Sequence, residues 1–218
     1  MNDDDPRRRL STARLYLVCG AEPARHDLFE LIRAAAAGGV DVFQLREKHM
    51  EDARLVALAE RVQTLCGELG VLFVLNDRPD LAALVGTDGV HVGQEDMPPT
   101  AVREIVGERM LIGLSTHATA EIDAVDAGLV DYIGVGPVHA TPTKPGRPAV
   151  GLELVRHAAA SAHVPFFAIG GLDATNARDV LEAGARRICV LRAIADVEDP
   201  TAEAAGLRAL LDESGPVA

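Results

Sequence analysis

Eight short apolar runs alternate with stretches of helical period along this chain, and that alternation restricts the fold more than any other feature of it. The runs are Arg14–Gly20, Asp41–Glu47, Val71–Asn76, Gly89–Gly93, Met110–Ser115, Asp131–Gly136, Pro165–Gly170 and Arg187–Leu191. Between them, His26–Ala37, Asp52–Leu69, Thr100–Val106, Ala120–Ala127, Leu152–Ser161 and Asn176–Ala183 carry Leu, Val, Ile and Ala at the spacing of one helix face. Pro79–Val85 covers the remaining gap, and Pro200–Leu211 is the last helix. Strands followed by crossover helices build a parallel sheet, and eight of them within 218 residues can close into a single (β/α)8 TIM barrel with short loops. An open doubly wound sheet competes, but it normally has fewer strands, and no Gly-x-Gly-x-x-Gly follows the first run. The expected organisation is one α/β catalytic domain over residues 14–214, preceded by a polar, loose tail at residues 1–13.

Charge and composition narrow the function. A net charge of −12 disfavours nucleic acid and anionic membrane as partners, since both require a basic face. No apolar run reaches the length of a membrane span, and the Asp- and Arg-rich start has no apolar segment behind it, so the expected location is cytoplasmic. Cys19, Cys66 and Cys189 are odd in number and lie far apart in apolar patterns, which predicts buried free thiols. Small anionic substrates remain, and they require positive charge gathered in one pocket. Self-association as a homodimer is left open.

In a parallel barrel the chemistry sits on the loops after the strands, and unusual polar residues do gather there. After the second run, the alternation in Gln44-Leu45-Arg46-Glu47-Lys48 sends Gln44, Arg46 and Lys48 to one side and Leu45 to the other; a ligand face and a solvated strand end are both open. The third run ends in Asn76-Asp77-Arg78 and the fourth in His91-Val92-Gly93-Gln94-Glu95-Asp96. Asp77 and Asp96 on adjacent strand ends suit Mg²⁺, which takes one or two protein carboxylates together with water and phosphate oxygens. Helix capping or turn formation is the competing role for each. After the sixth run, Thr141-Pro142-Thr143-Lys144 has the composition of an anion loop, and Gly170-Gly171 and Leu191-Arg192 fall after the seventh and eighth strands, where this fold commonly holds phosphate. His91, His117 and His139 lie near strand ends and are open to either a pocket or a structural role.

Six of these segments, Gln44–Lys48, Asn76–Arg78, Gly89–Asp96, Gly113–His117, Thr141–Lys144 and Ile169–Gly171, resemble in order and spacing the thiamine phosphate synthase family. The resemblance runs from the first strand to the eighth. It implies a transferase that couples 4-amino-2-methyl-5-hydroxymethylpyrimidine diphosphate to a thiazole phosphate, or its carboxylated form, and releases pyrophosphate. It implies that Gln44, Leu45, Arg46, Glu47, Lys48, Asn76, Ser115 and Lys144 hold the pyrimidine diphosphate, with Arg46, Lys48, Ser115 and Lys144 in catalytic roles. Asp77 and Asp96 are implied as ligands of one Mg²⁺. Thr141, Pro142, Thr143, Gly171, Leu191 and Arg192 are implied to hold the thiazole phosphate. The chain departs from the family where Phe is frequent and it has His139, and where Ser is frequent and it has Arg192. With no covalent nucleophile required, the expected chemistry is a dissociative substitution in which Mg²⁺, Arg46, Lys48 and Lys144 stabilise the leaving group. A thiazole tautomerase, a phosphate-sensing barrel and a Schiff-base aldolase are rivals, each with less use for Asp77, Asp96 and Lys144 together.

Overall fold

The computed structural model describes residues 5–140 and 149–216. Its eight strands are β1 (Leu15–Cys19), β2 (Val42–Leu45), β3 (Leu72–Asn76), β4 (Gly89–Val92), β5 (Leu111–Thr116), β6 (Tyr132–Val135), β7 (Phe166–Ile169) and β8 (Ile188–Val190). Each pairs in parallel with its sequence neighbour, and β8 pairs with β1, closing the barrel. The helices are α1 (Pro6–Thr12), α2 (Leu28–Ala37), α3 (Asp52–Leu69), α4 (Pro79–Val85), α5 (Pro99–Val106), α6 (Thr119–Asp123), α7 (Gly151–Ser161), α8 (Ala177–Glu182), α9 (Arg192–Ala195) and α10 (Pro200–Glu213). All eight predicted strands are present within about a residue or two of their expected ends, a scatter usual for element boundaries. Among the described residues no helix is long and apolar enough to cross a membrane.

Two apolar layers follow from the two-residue period of the strands. Leu15, Leu17, Phe43, Leu45, Phe73, Leu75, Val90, Ile112 and Ile133 point outward and pack under the helices. Tyr16, Val18, Val42, Leu72, Val74, Leu111, Tyr132 and Phe167 point inward and fill the barrel. The inward set stops at the upper strand ends, where Gln44, Asn76, His91 and Ser115 take the same alternating positions. These polar groups are therefore continuous with the interior stack, and the packed residues lie beneath them. Cys19, Cys66 and Cys189 are buried thiols, as expected, and burial pushes those of Cys19 and Cys66 up to about 11 and about 12.

The opposite end of the barrel is held by carboxylates at the strand starts. The Asp41 carboxylate accepts from the N–H groups of Arg14 and Leu15, that of Asp88 from Phe73, and that of Asp131 from Ile112. Each thus satisfies a backbone donor of the preceding odd-numbered strand that has no ladder partner. Arginines neutralise them: Arg208 on Asp41, Arg9 near Asp88, and Arg103 and Arg7 on Asp131.

The segment expected as a loose tail is corrected here. Residues 6–12 form α1, capped by the Asp5 side chain accepting from Arg7 N–H, with Pro6 opening the helix. Leu10 and Ala13 are only 3% and 1% exposed and pack under Tyr16 and Val18. Arg187 donates to the carbonyls of Ala13 and Ser11, while Arg7 and Arg9 reach Asp131 and Asp88. The arginines that made this segment read as polar tail are the groups that fasten it across the lower mouth of the barrel.

Candidate active site

A cavity of about 610 Å³ opens at the C-terminal ends of the strands. Gln44, Arg46, Asn76 and Ser115 line one side of it, and Gly170, Gly171, Leu191 and Arg192 contribute from the loops after β7 and β8. Tyr16, Tyr132, His91, Phe167 and Ile169 complete its floor and wall. Its volume lies in the range of sites for small organic ligands.

On the pyrimidine side of the expected site, Gln44 is buried and donates through Nε2 to the Tyr16 hydroxyl at 2.7 Å. Asn76 is also buried, and its Nδ2 has no hydrogen-bond partner among the described residues. A buried amide donor facing a cavity in this state is costly unless a ligand or water completes it. The Leu45 side chain does not face the cavity, being fully buried in the outer layer against the helices, which leaves its backbone as the part that could meet a ligand. Glu47 does not line the cavity either; its carboxylate accepts from Ala21 N–H at 2.6 Å and ties together the loops after β1 and β2.

Lys48, Asp77 and Asp96 form a cluster just beyond the lining residues Arg46 and Asn76. Lys48 Nζ lies 3.4 Å from Asp77 Oδ2. Burial, and then the adjacent Asp96 carboxylate, push Asp77 above the usual carboxylate range, with Lys48 opposing them. Asp77 does not cap α4: Arg78 occupies that position, and Asp77 instead adopts a left-handed φ of 62°, its N–H donating to His91 C=O at 2.9 Å. This ties the loop after β3 to β4 and brings the two carboxylates together. Asp96 also acts as a turn residue, accepting from Gly93 N–H at 2.7 Å. Two hard oxygen donors crowded together, one of them disfavoured as an anion by the other, fit a divalent cation of the Mg²⁺ type that fills its remaining positions from water and phosphate. Among the described residues no larger group of His, Cys, Asp and Glu has the arrangement of a metal site. Arg78, by contrast, binds Asp52 and Asp80 and holds α3 to α4.

Thr141, Pro142, Thr143 and Lys144 lie outside the described residues. The strand that leads to them is well placed. Val138 N–H donates to Ile169 C=O and His139 N–H to Gly170 C=O, so the loop after β6 lies along the glycine turn after β7. Gly170 and Gly171 have φ of 107° and 64°, and a Cβ on Gly170 would lie 2.4 Å from Pro137 Cα. Only glycine permits this approach. Gly170→Ala should cost about 2–4 kcal/mol from strain and overpacking, measurable as a lower urea midpoint with an unchanged slope.

Arg192 begins α9 and lines the cavity. Among the described residues it makes no ion pair with Asp196 or Glu198, the outward arrangement that competes with a phosphate contact.

A family model described as thiamine monophosphate synthase matches residues 15–194. The chain belongs to that family. It is 50% identical over 210 residues to a thiamine-phosphate synthase of Mycobacterium leprae, covering 90% of this chain and 89% of the relative. A thiamine-phosphate synthase of Gloeobacter violaceus is 50% identical over 196 residues, 90% of this chain and 57% of that longer protein. The solved thiamine phosphate pyrophosphorylase from Pyrococcus furiosus superposes with a TM-score of 0.85 at 31% identity, over 95% of this chain and 98% of that one. The chain is thus a transferase of thiamine biosynthesis built on a TIM barrel. Tyr16, Tyr132 and Phe167 line the cavity, although nothing in the sequence alone assigns them a role. Their alternation with outward Leu and Ile is that of barrel filling, and only the height of each residue in the barrel separates floor from site.

Proposed function

We propose that this enzyme joins 4-amino-2-methyl-5-hydroxymethylpyrimidine diphosphate to 4-methyl-5-(2-phosphoethyl)thiazole, giving thiamine phosphate and pyrophosphate, or to its carboxylated form, which also loses CO₂. The observation that carries the reading is the Lys48–Asp77–Asp96 cluster set directly above a cavity whose buried Asn76 amide lacks a partner. A neutral aromatic ring in the cavity and a diphosphate at the cluster would complete both.

Gln44, Asn76 and Ser115 orient the pyrimidine, and Arg46 and Lys48 meet the diphosphate as it gains charge on leaving. Lys144 joins them from the loop after β6. Leu45 and Glu47 act behind this surface, as packing and as a loop tie. Thr141, Pro142, Thr143, Gly171, Leu191 and Arg192 hold the thiazole phosphate. Asp77 and Asp96 would hold Mg²⁺, which would supply charge neutralisation to the diphosphate. The 4-amino group of the pyrimidine delocalises positive charge at the methylene carbon as the C–O bond breaks, and the thiazole nitrogen captures that carbon. The bond made is C–N, and pyrophosphate takes the electron pair of the bond broken. Holding both partners in one cavity makes capture effectively intramolecular.

Incubating the protein with both substrates and Mg²⁺ should release pyrophosphate and thiamine phosphate in equal amounts. Pyrophosphate without thiamine phosphate, or neither, overturns the reading.

Arg192→Ala tests the thiazole side. Loss of a charge-assisted contact should cost about 1.5–3 kcal/mol of binding per hydrogen bond. The expected result is a raised KM for the thiazole phosphate with that for the pyrimidine unchanged; equal constants for both would remove Arg192 from the phosphate site.

A further inference from the structure

A single chain of side-chain hydrogen bonds crosses the barrel beneath the cavity. Gln44 Nε2 donates to the Tyr16 hydroxyl at 2.7 Å, and the Tyr16 and Tyr132 hydroxyls are 2.9 Å apart. The Tyr132 hydroxyl lies 3.2 Å from His91 Nδ1, and His91 Nε2 lies 3.0 Å from Ser115 Oγ. Gln44 and Ser115, both on the cavity wall, are the two ends.

The Gln44 end decides the direction. An amide N–H₂ can only donate, so the Tyr16 oxygen accepts and its one proton is free to go to Tyr132. Tyr132 then accepts from Tyr16 and donates to His91 Nδ1. A neutral ring with Nδ1 accepting carries its proton on Nε2, which donates to Ser115 Oγ. The opposite direction leaves the Tyr16 proton, on a residue only 2% exposed, with no acceptor in the chain. Burial raises both tyrosines well above their ordinary range, so both hydroxyls keep their protons.

We propose that His91 is a positioning residue, held as the Nε2–H tautomer by this one-way chain, and that it presents Ser115 to the cavity as a hydrogen-bond donor. Ser115 accepts from His91 and its own proton is left to point at the substrate, where it selects an acceptor atom such as a pyridine-type ring nitrogen or an ester oxygen. The role for substrate rests on the synthase reading above; the tautomer does not. Gly113 makes the arrangement sterically allowed, because a Cβ there would lie 2.4 Å from His91 Nδ1 and 2.2 Å from Tyr132 Cζ.

Long-range proton–nitrogen NMR of the ¹⁵N-histidine-labelled full chain reads the tautomer without substrate, the His91 signals being those lost in His91→Asn. The expected pattern is a protonated Nε2 and a bare Nδ1. An Nδ1–H ring overturns the proposal, since it means that the Gln44 amide is turned over and Ser115 donates to His91. Kinetics supply the second test: Tyr132→Phe should lower kcat on the order of tenfold, and Ser115→Ala should then add little to that loss. Equal cost of Ser115→Ala in both backgrounds would show that the chain does not set Ser115. If the protein proved to make no thiamine phosphate, the function would fail while the NMR result still decided the chain.

Discussion

Asp77→Asn should lower turnover by on the order of 10²-fold or more and raise the Mg²⁺ concentration needed for half-maximal rate, because a metal held by Asp77 and Asp96 would supply several kcal/mol of charge stabilisation to the leaving group. The substitution suits the purpose. Asp77 has a φ of 62°, a conformation that Asn tolerates better than other non-glycine residues, so the backbone should be retained while one carboxylate is lost. Lys48, 3.4 Å away, would lose this anionic partner. Kinetics across a Mg²⁺ titration, with thermal unfolding as the control, separate metal binding from folding. Full activity of the unmodified protein after removal of divalent metal would contradict the assignment. Asp96→Asn should behave similarly, its amide oxygen keeping an acceptor for Gly93 N–H.

The largest stability loss is expected from Asp131→Ala, far from the cavity. Asp131 accepts from the Ile112 amide at 2.8 Å and pairs with Arg103 at 3.0 Å, both side chains being about one-tenth exposed. Removing the carboxylate leaves a buried guanidinium short of its counter-ion, which costs about 3–5 kcal/mol. It also frees a strand N–H and releases Arg7 of α1. For a domain of this size that corresponds to a fall in Tm of roughly 10 °C or more. Asp131→Asn keeps an acceptor for Ile112 and should recover part of the loss. A melting curve unchanged by Asp131→Ala would mean that Arg103 is held by its bonds to the Gly107, Met110 and Leu129 carbonyls alone.

The strands and helices of the barrel were legible because their signals are local. Period-two and helical patterning, punctuated by Gly and Pro, depends only on neighbours along the chain. Residues 6–12 were misread for a reason of the same kind: Arg7 and Arg9 look solvated until Asp131 and Asp88, some 120 and 80 positions further on, come to meet them. The alternation that put the Leu45 side chain on the other face is borne out by its burial in the outer layer. Tyr16 and Tyr132 went unassigned because an inward aromatic reads alike whether it fills the floor or borders the cavity.

By itself, then, the sequence determined the succession of eight βα units, the polar character of the strand ends and the six spaced segments that carry the family resemblance. These follow from chain periodicity and from residue chemistry, both of which survive without a fold. Only the tertiary structure decided that the barrel is closed by β8 on β1, that α1 seals its lower mouth, and that Asp77 stands beside Asp96 and Lys48. It alone brought Gln44, Tyr16, Tyr132, His91 and Ser115 into one line of hydrogen bonds. Hydrogen bonding and carboxylate repulsion act over a few ångströms between residues distant in the chain, and closure of the barrel is what makes those distances short.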